Sequence, residues 1–152
     1  MQARPALLTL ASFGLWRRPF ITASAPEDLP AAGAFTADAF DAAGWRPHYP
    51  NPAFTNLQPD DAFWAARRVA AISPEAIGAI VAKAHYSDPR VEDYVAGALI
   101  RRRDGVLRTW LQAVAPIVEP RLAADGVLRF DNAAVAAGVA EPPDGYALTW
   151  FA

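Results

Sequence analysis

The chain has 152 residues, no cysteine, and a formal charge of −2 from 14 basic and 16 acidic side chains. These figures exclude disulfides, thiolate zinc sites and a cysteine nucleophile. They also argue against a general nucleic-acid binder, which would be strongly basic, and an aromatic content of 11 % argues against wholesale disorder.

The hydrophobic fraction of 53 % includes 35 alanines, which favour helix but add little to a core. Without them about 30 % of the chain is large and apolar, an ordinary supply for one domain. Thirteen of the basic residues are arginine and one is Lys83. With the excess of Ala and Pro, this reads as GC-rich codon usage rather than as a functional choice.

Residues 1–18 read as an N-terminal helix. Pro5 to Trp16 is an apolar run, closed by Arg17, Arg18 and Pro19, which places cations at the favourable helix end and a breaker after it. With Ala23-Ser24-Ala25 downstream the segment also has the outline of a secretory signal, but arginines directly after the apolar run are the wrong flank for one. No apolar stretch reaches the ~18–20 residues of a membrane span. The absence of cysteine leaves the compartment open.

Residues 19–59 hold seven of the fourteen prolines together with Phe20, Phe35, Phe40, Trp45, Tyr49 and Phe54. Each proline fixes φ and removes a donor, while aromatics at this density seek a surface. The segment therefore reads as an extended arm wrapping a neighbouring body, with a short turn of helix around Ala37 to Ala43. Trp45, Tyr49 and Phe54 are its candidate partner-facing rings.

Residues 60–115 read as a helical body of three helices. Pro59-Asp60-Asp61 precedes Ala62 to Ile72, Ser73-Pro74-Glu75 opens Ala76 to Ala84, and Ser87-Asp88-Pro89 opens a helix to about Val114. Each start combines a cap or a carboxylate with proline in the first turn. Gly78, Gly97 and Gly105 weaken these helices, which points to close helix contacts there.

Residues 116–152 read as a partial β-containing segment. A strand over Val127 to Phe130 follows the Asp125-Gly126 turn, a helical piece covers Asn132 to Val139, and a second strand covers Tyr146 to Phe151. Two strands alone are marginal, so this tail reads as truncated. The fold class is thus mainly α, with an N-terminal helix, a Pro- and aromatic-rich arm, a three-helix segment and a short β-containing tail.

None of the chemistry-bearing residues forms a recognisable site. His48 and His85 lack the i, i+4 partner of a helical metal motif. His85-Tyr86-Ser87-Asp88 places triad letters in tandem, whereas triads are assembled in space, so Ser87 and Asp88 are better explained as a helix start. Asp60 and Asp61 read as dipole-stabilising residues rather than an acid–base pair, which needs two contrasting environments. No glycine-rich phosphate loop is present, and Lys83 follows none. The reading is therefore no catalytic residue, no cofactor and no metal.

Arg101-Arg102-Arg103, with Arg108 and Trp110 nearby, is the remaining cluster. At ~100° per residue, Val95, Leu99, Val106 and Trp110 share a face with Arg102 and Arg103 on its flanks, while Arg101 and Arg108 point away. Arg102 or Arg103 is therefore expected to form a structural ion pair, and nucleic-acid binding is opposed by the net charge.

Several stretches carry a resemblance. These are Phe13-Gly14-Leu15-Trp16-Arg17-Arg18-Pro19-Phe20, Gly44-Trp45-Arg46-Pro47-His48-Tyr49-Pro50-Asn51-Pro52-Ala53-Phe54, Asp61-Ala62-Phe63-Trp64-Ala65-Ala66-Arg67, Tyr86-Ser87-Asp88-Pro89 and Arg102-Arg103-Asp104. Together they resemble the C-terminal part of a family of large uncharacterised bacterial proteins with a kinase-like upstream half. The resemblance covers nearly the whole chain, but in packing and turn motifs. The lysine strand, catalytic loop and Asp-Phe metal motif of a kinase match no position here, so no catalytic residue is carried over.

What the resemblance implies is a non-catalytic structural or docking part of a distal lobe, with phosphotransferase-like activity only in a longer parent. Met1 would be an internal or misassigned start, and Ala152 would not be a natural end. The partner would be the remainder of a longer polypeptide. The alternative is a self-standing helical module that binds another protein through exposed aromatics.

Overall fold

The computed structural model describes residues 11–12, 24–47 and 49–149. The expected N-terminal helix at 1–18, but for Ala11 and Ser12, lies outside the described residues, as do Ala23 of the signal-like Ala23-Ser24-Ala25 pattern and His48. The described chain is mainly helical with one two-stranded antiparallel sheet near its C-terminal end. The helices are α1 (Pro52–Thr55), α2 (Pro59–Ala70), α3 (Pro74–Ala82), α4 (Pro89–Trp110) and α5 (Ala133–Ala136), and the strands are β1 (Ile117–Leu122) and β2 (Leu128–Asn132). A 3-10 turn covers Pro30–Ala32.

The helix starts follow local chemistry. The Asn51 side chain accepts from Ala53 N at 2.9 Å ahead of Pro52. At α2 the Asp61 carboxylate reaches back to the backbone N–H of Gln58 at 3.2 Å, and at α3 Ser73 Oγ accepts from Ala76 N at 3.1 Å. Proline occupies the first turn in all three, where its missing N–H has no intrahelical partner to lose.

The backbone divides into two compact units, the described parts of 1–45 with 73–102 and of 46–72 with 103–149. In the first, Leu29, Ala32 and Val91 form a buried cluster, with Tyr86, Tyr94 and Val95 packed against it. In the second, Ala66, Leu107, Leu111 and Ala134 are buried beneath Phe63, Val69, Val106 and Trp110. Alanines at 66 and 134 let their helices approach closely, and the two leucines fill the space between.

Three expectations need correction. The strand expected at Tyr146 to Phe151 is absent over its described residues 146–149. The partner of β2 is instead β1, pairing Ile117 with Asn132, Val118 with Asp131, Arg121 with Arg129 and Leu122 with Leu128. Pro120 falls where the register shifts between Val118 and Arg121, and Glu119 has φ 51°. A bulge of this kind tolerates a residue without an N–H. The tail is therefore a hairpin followed by a helical turn, and Tyr146 packs its ring edge-to-face on Phe130 at 4.8 Å.

The helical turn expected around 37–43 is a pair of tight turns. Phe40 N bonds to Ala37 O, and the Asp41 carboxylate takes the N–H of Ala43, a local bond that competes with helix. A methyl group at Gly44 would overlap that carboxylate. The third correction concerns close helix contacts at Gly78 and Gly97: among the described residues a Cβ at Gly78 would meet nothing within 4 Å, and one at Gly97 would meet only the flexible Arg101 guanidinium.

Gly78 thus leaves α3 with the entropic weakness of glycine and, among the described residues, no packing contact that calls for it. Gly78→Ala is expected to stabilise the chain by about 0.5–1 kcal/mol, measured by urea denaturation. A loss of stability would show a contact at this position.

Candidate interaction surface

Helix α4 carries the arginine cluster. Arg101 and Arg108 are exposed, and Arg102 and Arg103 are half-buried. The two half-buried guanidinium groups engage different segments.

Arg103 donates from Nε to Ile72 O at 2.7 Å and from Nη2 to Ala70 O at 3.2 Å. These carbonyls lie at and just after the C-terminal end of α2, where backbone acceptors run out of intrahelical donors. A cation is also favoured by the helix dipole there. Its Nη1 pairs with the Asp104 carboxylate at 2.7 Å, and the Arg103 side chain is only 13 % exposed. Arg103 is therefore the arginine with an ion pair, but its longer reach is to peptide carbonyls.

Among the described residues Arg102 has no carboxylate partner. Its Nε donates to Thr36 O at 2.9 Å and its Nη2 to the same oxygen. The guanidinium lies 4.0 Å from the Phe35 ring centre and 5.5 Å from that of Phe40. Burial pushes its pKa below the ordinary arginine value, although a guanidinium stays charged. Carbonyl and π faces compensate in part for the lost water.

The remaining candidate residues are dispersed. His85 is exposed and sits in the left-handed region at φ 51° just after α3. Both Asp88 oxygens bond the Arg90 side chain, at 2.7–3.2 Å, and one also takes the Arg90 backbone N–H at 2.9 Å. Asp88 therefore caps α4 and is occupied. Among the described residues no three of His, Cys, Asp or Glu group as metal ligands. No described helix is long and apolar enough to cross a membrane.

A shallow groove of about 260 Å³ lies in the second unit, lined by Leu111, Val118 and alanines of α2 and α5 together with Arg67 and Asp131. It gathers no nucleophile and no histidine, so it offers no acid–base pair.

Of the candidate partner-facing rings, Tyr49 is 80 % and Trp45 47 % exposed, and Phe54 is half-buried. Sequence reasoning passed over Trp64. It is 59 % exposed on α2, on a helix that buries Ala62 and Ala66, and the Arg68 guanidinium lies 5.4 Å from its ring. The spacing of Trp64 and Arg68, one helical turn apart, was available in the sequence as a signal. The Phe35–Arg102–Phe40 arrangement was not, because 66 residues separate Thr36 from Arg102.

The chain matches no protein-family model, no curated protein and no solved structure.

Two outcomes follow from this geometry. Arg103→Met strands the terminal carbonyls of α2 and is expected to cost about 1–3 kcal/mol in urea denaturation; Arg103→Lys recovers only part of it, because an ammonium lacks the planar fork. The hydrogen bonds from Arg90 hold the Asp88 carboxyl below its usual value. Its contribution to stability is therefore present above the unfolded-state value near pH ~4 and is lost as pH falls through the lower folded-state value. Asp88→Asn should flatten that acid limb of a melting-temperature profile, and an unchanged limb would assign the acid loss elsewhere.

Proposed function

We propose that the chain is a non-catalytic docking element, the structural part of a distal lobe in a larger kinase-like bacterial protein. The observation that carries the docking reading is Trp64. A tryptophan left 59 % exposed on a regular helix, with a guanidinium against its ring, combines the two residue types most often dominant at protein interfaces. Tyr49, 80 % exposed, adds a second ring of that class in the same unit. The kinase-like parent rests on the sequence resemblance alone.

A self-standing interaction module is the second reading. It draws on the two buried clusters, one in each unit, and on the absence of any buried side-chain polar atom without a partner among the described residues.

A photo-crosslinking amino acid at position 64, introduced in the producing cell, is expected to give one discrete protein adduct, and the same probe at exposed position 101 to give none. An intramolecular or same-polypeptide adduct supports the distal-lobe reading, and an adduct to a separate protein supports the module. Equal labelling at both positions overturns docking through Trp64. Nucleotide hydrolysis or phosphoryl transfer by the purified chain overturns the non-catalytic reading.

A further inference from the structure

The hairpin of the second unit has two edges of different kind. In an antiparallel ladder, successive residues alternately direct their N–H and C=O groups at the partner strand and away from it. Ala123 N bonds Val127 O at 2.9 Å and Ala133 N bonds Pro116 O at 2.8 Å. With Arg121 facing Arg129 and Val118 facing Asp131, positions 127, 129, 131 and 133 are the ones that point at β1. Leu128, Phe130 and Asn132 therefore present their backbone groups on the outer edge of β2.

That edge is open. Among the described residues no backbone hydrogen bond reaches the N–H or C=O of Leu128 or Phe130. Tyr146 meets β2 through side chains, its ring edge-to-face on Phe130 and its hydroxyl accepting from Asn132 Nδ2 at 2.9 Å. β1 carries the left-handed Glu119 and Pro120, whereas β2 contains no proline, no glycine and no bulge. A straight strand with free backbone groups is a template for another strand.

The side chains of β2 say which strand fits. Leu128, Phe130 and Asn132 are half-buried on one face, and Arg129 and Asp131 are exposed on the other. Arg129 lies opposite Arg121 of its own hairpin, a like-charge pairing that costs stability, and its ion pair with Asp125 is long at 3.9 Å. Asp131 lies opposite Val118 and has no ion pair among the described residues. Two copies of β2 laid antiparallel about a two-fold axis at Phe130 set Arg129 of each against Asp131 of the other, once on either side of the axis. Directly opposed Cβ atoms are then about 5 Å apart, close enough for an ion pair. A register shifted by one residue sets Arg129 against Arg129, or Asp131 against Asp131. The strand is thus complementary in charge to itself in one register.

We propose that the outer edge of β2 pairs with β2 of a second copy of this chain, antiparallel and in this register, to form a four-stranded sheet across a two-fold axis. Phe130 exchanges both backbone N–H···O bonds with Phe130 of the second copy, and Leu128 faces Asn132 on either side. The two β1 strands are then outermost, and their bulge at Glu119 and Pro120 offers no straight edge to a third copy. A two-stranded sheet is marginal by itself, and the pairing doubles it. The interface uses no residue of α2, so this proposal and docking through Trp64 stand or fall independently.

Sedimentation velocity on the full chain is expected to show a monomer–dimer equilibrium that shifts with concentration. Arg129→Asp alone, or Asp131→Arg alone, sets like charges against each other on both sides of the axis, and each is expected to weaken dimerisation about tenfold or more. Mixed in equal amounts, the two single variants are expected to recover the dimer, because each then meets opposite charge at both positions. On the wild-type chain, hydrogen exchange read by NMR is expected to show the Phe130 amide exchanging more slowly as concentration rises. Circular dichroism checks that the variants fold, and where one does not, the exchange of the wild-type Phe130 amide decides. A chain that stays monomeric up to millimolar concentration overturns the proposal, as does a dimer that both charge reversals leave intact, or a Phe130 amide indifferent to concentration.

Discussion

A peptide carbonyl that secondary structure leaves over must find a donor, and in this chain two consecutive arginines of one helix provide it. Successive helical residues point about 100° apart, so Arg102 and Arg103 address different segments. One takes the carbonyl of Thr36 in the arm; the other takes those of Ala70 and Ile72 at the end of α2. Neither job could pass to lysine unchanged, since each uses at least two of the forked N–H groups of a guanidinium. The cluster that looks like a phosphate or nucleic-acid patch in the sequence is directed in half of its members at the chain's own backbone.

This polar anchoring matters because the apolar core is thin. Among the described residues the buried hydrophobic set is Leu29, Ile77, Val81, Val91, Leu107 and Leu111 with five alanines. Burying alanine removes far less apolar area from water than burying leucine or an aromatic ring. The large rings instead lie partly outside, with Trp45, Tyr49, Trp64 and Tyr146 each 47 % exposed or more. An adequate hydrophobic fraction is therefore spent unevenly: small residues set the close approach of helices, and large ones face outward.

What was legible in the sequence was local. Proline at the start of α2 and α3 with Asp61 or Ser73 beside it, and Asp88 ahead of Pro89, mark helix starts through bonds spanning only two or three residues. Helical periodicity likewise separates outward Arg101 and Arg108 from half-buried Arg102 and Arg103. What was not legible depended on distant partners. β1 contains Pro120 and is a strand only because β2 supplies a ladder on either side of the bulge. Residues 146–149 have strand-like alternation and no ladder, because Tyr146 spends its ring on Phe130 and its hydroxyl on Asn132. The one-turn helix α1 was hidden within a proline-rich stretch whose average pointed to extended chain.

The kink at Glu119 and Pro120 has a consequence for how the molecule behaves in a crowded solution. A two-stranded hairpin presents backbone donors and acceptors along its rims, and a straight rim is a template on which identical molecules stack without limit. In β1 the left-handed residue turns the rim out of line, and the proline beside it removes a donor. A foreign strand can follow it for only a few residues before the pairing breaks. Open-ended fibril growth along this rim is thereby disfavoured, through two adjacent residues that add nothing to the core.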